Sequence, residues 1–189
     1  MLVDRTIANG NGSRDAALSD LSPGDQVLAT VDHGRQALSV LPDRAFDNLL
    51  VISTGAGPDK IERQVRERGT DPSRVGVIPV VGSTVSYDGP LWVADRTSPS
   101  DFTGLSIRFS KAARHLTSGR GWVCVDSLST LYMYADEQRV YRLVQSLTSA
   151  LREEDLAGVF RVGPGTVTGQ TREQLRGLFD EHRTRMETG

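Results

Sequence analysis

Trp122-Val123-Cys124-Val125 is a short apolar run that stops abruptly on Asp126 and Ser127. A run this short and continuous suits a strand buried on both faces, as in a parallel sheet. Asp126 then stands at the strand's carboxyl end, and ligands of open α/β sheets lie in that crevice. Comparable runs recur at 26–31, 49–53, 75–81 and 158–162, with a shorter one at 91–94 beyond a Tyr87-Asp88-Gly89-Pro90 turn.

Helical patterns fill the gaps between these runs. Val140, Leu143, Val144, Leu147 and Leu151 recur at helical spacing, and Asp136 and Glu137 suit the positive end of a helix over 136–153. Asp101 or Ser100 caps a second helix that turns Phe102, Leu105, Phe109, Ala112 and Leu116 inward. Pro58 fits the first turn of a third, with Ile61 and Val65 inward and a stop at Gly69. Further helices are expected at 15–21, at 35–46 as far as Pro42 permits, and at 171–186. Alternating strands and helices predict an α/β three-layer sandwich with a mostly parallel central sheet.

At 189 residues the chain suits one domain over 15–189, preceded by a flexible tail at 1–14 that carries Asn9-Gly10-Asn11-Gly12-Ser13. No apolar stretch is long enough to span a bilayer and no secretory signal opens the chain, so no membrane partner and a cytoplasmic location are expected. The net charge of −2 leaves no electrostatic footprint for nucleic acid. Cys124 is the single cysteine, which excludes an internal disulfide and a cysteine zinc site. His33, His115 and His182 are scattered, lack metal-ligand spacing and read as surface residues. No G-x-S-x-G surrounds Ser53, Ser127 or Ser129, which disfavours a hydrolase elbow.

The order of these pieces over 16–162 resembles the RecA/KaiC-like branch of P-loop ATPases. Residues 16–28 look like the short helix, turn and first strand before that family's P-loop, and 50–58 like its second strand and turn. Residues 101–116 are similar to the helix preceding the Walker B strand, and 122–131 to that strand with its Asp-Ser-Leu-Ser pattern. The whole is most similar to short haloarchaeal KaiC-like (HTR-like) proteins. The resemblance implies a RecA-like fold, with Asp126 as the acid that holds Mg²⁺ and Ser127 beside it.

The departures carry as much weight. A P-loop needs glycines whose N–H groups wrap phosphate, a lysine for the β/γ oxygens and a Ser/Thr for Mg²⁺. Here the segment is Val31-Asp32-His33-Gly34-Arg35-Gln36-Ala37-Leu38, with Ala37 and Leu38 in the Lys and Ser/Thr places. His33, Gly34 and Arg35 are the residues left to meet a nucleotide, and Asp32 repels one. The turn after the second strand, where the family carries paired glutamates, is Gly55-Ala56, which has no side chain able to orient a water.

These losses point to a pseudo-ATPase: no cofactor, no catalytic residues, and a regulatory or protein-interaction role with a partner protein or as a homo-oligomer. The alternative keeps ATP and Mg²⁺, with Arg35 replacing the lysine and a neighbouring subunit donating the acid. Asp126 and Ser127 are then either nucleotide-site residues or strand-end hydrogen-bonders. The loop 163–169 is either a mobile connector or, as the resemblance implies, a substrate- or DNA-contacting loop. Leu131-Tyr132-Met133-Tyr134 either packs the core or forms a partner surface, and Arg63, Arg66 and Arg68 belong to a solvated mixed-charge face.

Overall fold

The computed structural model describes the backbone of residues 3–6, and residues 18–32 and 34–184. Among the described residues eight parallel strands form one sheet in the order β1-β8-β2-β7-β6-β3-β4-β5. They are β1 (Val3–Thr6), β2 (Gln26–Thr30), β3 (Leu49–Ser53), β4 (Val75–Pro79), β5 (Trp92–Val93), β6 (Trp122–Val125), β7 (Ala157–Val162) and β8 (Glu181–Thr184). The central strands β2, β3, β6 and β7 are buried at every position, which is why they read as continuous apolar runs.

Helices cover both faces. On one side Ile61 and Val65 of α1 (Pro58–Glu67) join Leu38, Leu41 and Phe46 over Val27, Val51, Cys124 and Val159. On the other lie α2 (Phe102–Ala113), α3 (Leu128–Tyr132), α4 (Glu137–Glu153) and α5 (Gly169–Arg176), which pack Leu105, Leu131, Val144 and Leu175 on Leu28, Ile52, Val125 and Phe160. Each fully buried Leu, Val or Phe contributes roughly 1.5–3 kcal/mol by area, so the two layers supply the driving force.

Helix ends follow the expected chemistry. Asp101 accepts the Gly104 N–H at 2.8 Å and Asp136 the Arg139 N–H at 2.8 Å. Pro58 opens α1, and Gly69 just beyond its end takes the left-handed conformation (φ 72°) that L side chains avoid.

Three expectations are corrected. Residues 35–46 form no α-helix: turns run from Gly34 to Val40, and a short 3-10 helix follows at Asp43–Asp47. Pro42 leaves a window too short to nucleate a helix, and the Arg68 side chain, at the C-cap of α1, takes up the carbonyls of Leu38 and Leu41 instead. The polar helix expected at 171–186 ends at Arg176, and Glu181–Thr184 is a strand between β1 and β2. Its buried His182 is not a surface residue: Arg176 donates to Nδ1 at 3.0 Å and Nε2 lies 3.2 Å from Thr30 Oγ1.

Of the tail expected at 1–14, residues 3–6 pair as β1 and the rest lie outside the described residues, as do 15–17 of the first expected helix. Leu18–Asp20 form a turn. No described helix is long and apolar enough to cross a membrane.

Candidate functional site

The carboxyl ends of β2, β3, β6 and β7 meet at a cleft of about 160 Å³. Its walls include Asp32 and Arg35 after β2, Gly55 and Ala56 after β3, Lys60 at the start of α1, Asp126 and Ser127 after β6, and Arg161 and Gly163 from β7 onward. The structure thus brings Asp126, Ser127 and Arg35 together. Gly34 is exposed and is not among the walls, and His33 lies outside the described residues.

Asp126 is 5% exposed, and both its oxygens accept hydrogen bonds from the turn after β3. Oδ1 receives the Thr54 N–H at 2.7 Å and the Thr54 hydroxyl at 2.8 Å. Oδ2 receives the Gly55 N–H at 3.3 Å and lies 3.0 Å from Ser53 Oγ, whose single proton is shared with the Ala56 carbonyl. The carboxylate therefore joins the ends of two neighbouring strands. Among the described residues no group of three or more His, Cys, Asp or Glu side chains could hold a metal ion. Asp126 alone supplies one carboxylate, which is only part of what a divalent cation requires. Ser127 caps α3, its hydroxyl accepting the Thr130 N–H at 3.4 Å.

The segment after β2 is held down from α1. Gln64 Oε1 accepts the Leu38 N–H at 3.0 Å, and Arg68 donates to the carbonyls of Leu41 at 2.8 Å and Leu38 at 3.1 Å. Arg68 also pairs with Asp43 at 2.9 Å and lies over the Phe46 ring, 4.7 Å from its centre. Its side chain is 8% exposed, so it leaves the solvated face assigned to Arg63, Arg66 and Arg68. Arg66 stays on that face, paired with Glu62 at 2.6 Å. Ala37 and Leu38 are buried in the core beneath the turns.

Sequence reading missed Arg161 and Lys60. Arg161 is a charge inside the apolar strand β7 and is 7% exposed. Burial lowers its pKa from the usual arginine value, an effect partly offset by Cys124 and Asp126. Cys124, on the same face of the sheet, is a buried thiol that desolvation pushes up to about 12, so it remains protonated and inert. The available signal was an arginine in a run that otherwise reads as buried on both faces.

The loop 163–169 is tied down. Ser129 Oγ accepts the Gly163 N–H at 2.9 Å and donates to Thr166 Oγ1 at 3.1 Å. Thr168 caps α5, and the Thr171 hydroxyl bonds the Glu137 carboxylate. In the stretch 131–134 the side chains divide: Leu131 is core, Tyr132 half-buried, and Met133 and Tyr134 exposed. A larger cleft, about 320 Å³, opens at the amino ends of the strands. There Asn48 Oδ1 accepts the Thr117 N–H at 2.7 Å and Arg44 donates to the Leu21 carbonyl at 2.6 Å.

Strand order, layers and the position of the cleft define an α/β domain with a RecA-like fold. The chain is similar to a solved structure of the KaiC-like protein PH0186 from the hyperthermophilic archaeon Pyrococcus horikoshii OT3. The TM-score is 0.61 at 12% identity, over 88% of this chain and 75% of that one. At that identity the likeness is one of fold. The chain belongs to the family of unknown function DUF7504, whose model matches residues 16–183. No curated protein matches it.

Proposed function

We propose that this RecA/KaiC-like domain is a non-hydrolysing regulatory or protein-interaction module, which acts by docking to a partner protein or to a second copy of itself. The segment after β2 carries the reading. Gripping a triphosphate takes successive N–H groups left free to point at it, together with a helix N-terminus. Here the Arg35 N–H donates to the Asp32 carbonyl at 3.2 Å, the Leu38 N–H to Gln64, and the Ser39 N–H to the Gln36 carbonyl at 3.1 Å. Among the described residues no α-helix starts between β2 and β3. The turn after β3 offers Gly55 and Ala56 where a water-orienting acid would be needed.

Met133 and Tyr134, 80% and 53% exposed, support docking, since methionine and tyrosine are enriched in protein interfaces. They follow directly on α3, the helix that begins beside the cleft.

The test is nucleotide titration of the purified protein by calorimetry, paired with a phosphate-release assay and a mass measurement of the assembly. No turnover and no rise in melting temperature at millimolar Mg-ATP are expected, because a ligand that binds only the folded state must raise it. Steady hydrolysis, or a saturable rise in melting temperature, overturns the proposal.

A further inference from the structure

Four large apolar side chains stay exposed among the described residues: Met133 and Tyr134 after α3, Trp92 on β5 and Ile107 on α2. β5 ends the sheet, so Trp92 has β4 on one side and no described strand on the other. Its ring lies over Gly76, where an added Cβ would come within 3.2 Å of the indole Cε3. The His115 ring stands 6.3 Å away, tilted by 44°. Both rings line a groove of about 290 Å³ together with Leu50, Ala112 and Leu116. A ring seated in this way gives up little freedom when a partner covers it, which suits an anchor point.

The helix beside the groove is basic. From Phe102 to Val125 the chain carries Arg108, Lys111, Arg114 and Arg120 and no aspartate or glutamate, although its net charge is −2. Ile107, Lys111 and Arg114 recur at helical spacing and share the solvent face of α2. Arg108 donates to the carbonyls of Asp95 and Gly104, which leaves its charge unmatched. Arg74, also in the groove wall, is matched by Asp47 at 3.0 Å, so the surplus belongs to α2. An aromatic groove beside unmatched cations selects an apolar anchor flanked by carboxylates. A second copy docking two-fold through this face would set Lys111 and Arg114 against their own counterparts, which like charges oppose. A polynucleotide would meet the net negative charge of the whole chain.

We infer that the groove beside Trp92 is a docking site for an acidic protein segment, with Trp92 seating an apolar side chain of the partner and Lys111 and Arg114 meeting its carboxylates. The inference rests on the docking role and gives it a second surface and a partner chemistry.

The experiment uses the chain's own fluorescence, since it has two tryptophans and Trp122 is buried. The intact chain is titrated with a synthetic peptide of glutamates around one central phenylalanine while acrylamide quenching of Trp92 is followed. Saturable protection is expected, fading as salt rises. Alanine in place of the peptide's phenylalanine, or Lys111→Glu combined with Arg114→Glu in the protein, should each weaken it about tenfold. A peptide with lysines for glutamates should bind that charge-reversed protein better than the intact one, a gain that a damaged fold cannot produce. Met133→Ser should bind the acidic peptide unchanged, which separates this groove from the surface after α3.

Absence of saturable protection, or protection that charge reversal leaves unchanged, overturns the site. Equal protection of the intact chain by the lysine peptide overturns the acidic assignment, and tighter protection by an oligothymidylate of similar length overturns the protein one. Loss of peptide binding in Met133→Ser overturns the groove in favour of the α3 surface. A dimer that Trp92→Ala turns into a monomer overturns it in favour of a second copy. Turnover of Mg-ATP counts against the docking role alone, so the two failures are read separately.

Discussion

Asp126 shows how one residue type in one place can serve two ends. As a strand-end acid beside a crevice it suits a metal; with Thr54, Gly55 and Ser53 as its donors it is a strut between β6 and β3. The two roles separate on substitution. Asparagine keeps one acceptor oxygen but turns an NH₂ donor toward other N–H and O–H donors. Asp126→Asn should therefore lose about 1–3 kcal/mol, read as a lower urea midpoint with an unchanged slope. A carboxylate kept only for a cation would behave in the opposite way, since its removal relieves a buried charge. An unchanged or raised midpoint would refute the strut. The sequence placed Asp126 correctly at the strand's end, but not its partners. Ser53 and Thr54 lie more than seventy residues away in the chain, and only the β3–β6 register brings them opposite.

Elements were legible where burial imposes a period, and obscure where polar side chains substitute for it. β6 and α4 could be read because Trp122–Val125 and Val140 to Leu151 face the core at strand or helix spacing. β8 could not, since Glu181-His182-Arg183-Thr184 has no apolar residue; it is held by Thr30, Arg176 and, at 3.1 Å, Asp20. The turns at 34–40 were equally hidden, because what stabilises them projects from α1. Arg68 is their main fastening. Lysine there would keep the charge, but one ammonium cannot reach two carbonyls as a planar fork does, nor stack on Phe46 in the same way. Arg68→Lys should cost about 1–3 kcal/mol and raise hydrogen exchange across 36–42 while α4 stays protected. Uniform exchange across the chain, or no change in stability, would show that the fork does not hold the segment.

At the scale of the whole molecule the sheet explains both what was found and what was missed. A parallel sheet gathers the loops after β2, β3, β6 and β7 at one edge, so alternating apolar runs were enough to expect a cleft there. Which side chains close that edge depends on strand neighbours: β7 lies between β2 and β6, and this puts Arg161 into the cleft. The same sheet depends on β8 to join β1 to the other six strands. β8 pairs with β2 over Val27 to Thr30, while just before it Leu178 and Phe179 are buried, Phe179 edge-on to Phe160 at 5.2 Å. Asp180 closes the corner, its carboxylate accepting the Gln26 N–H at 2.8 Å and its own N–H donating to the Gln26 carbonyl at 2.8 Å. Ending the chain at Arg176 would strip β2 of one neighbour and expose its row of backbone donors and acceptors, a template for pairing between molecules. Loss of Phe179 alone costs about 3–5 kcal/mol, against a total stability of roughly 5–15 kcal/mol for a domain. The shortened chain should therefore give no cooperative melt and should elute as aggregate on size exclusion. A monomer that melts within a few degrees of the intact chain would mean that the sheet from β2 to β5 folds without β8 and that its edge is protected by other means.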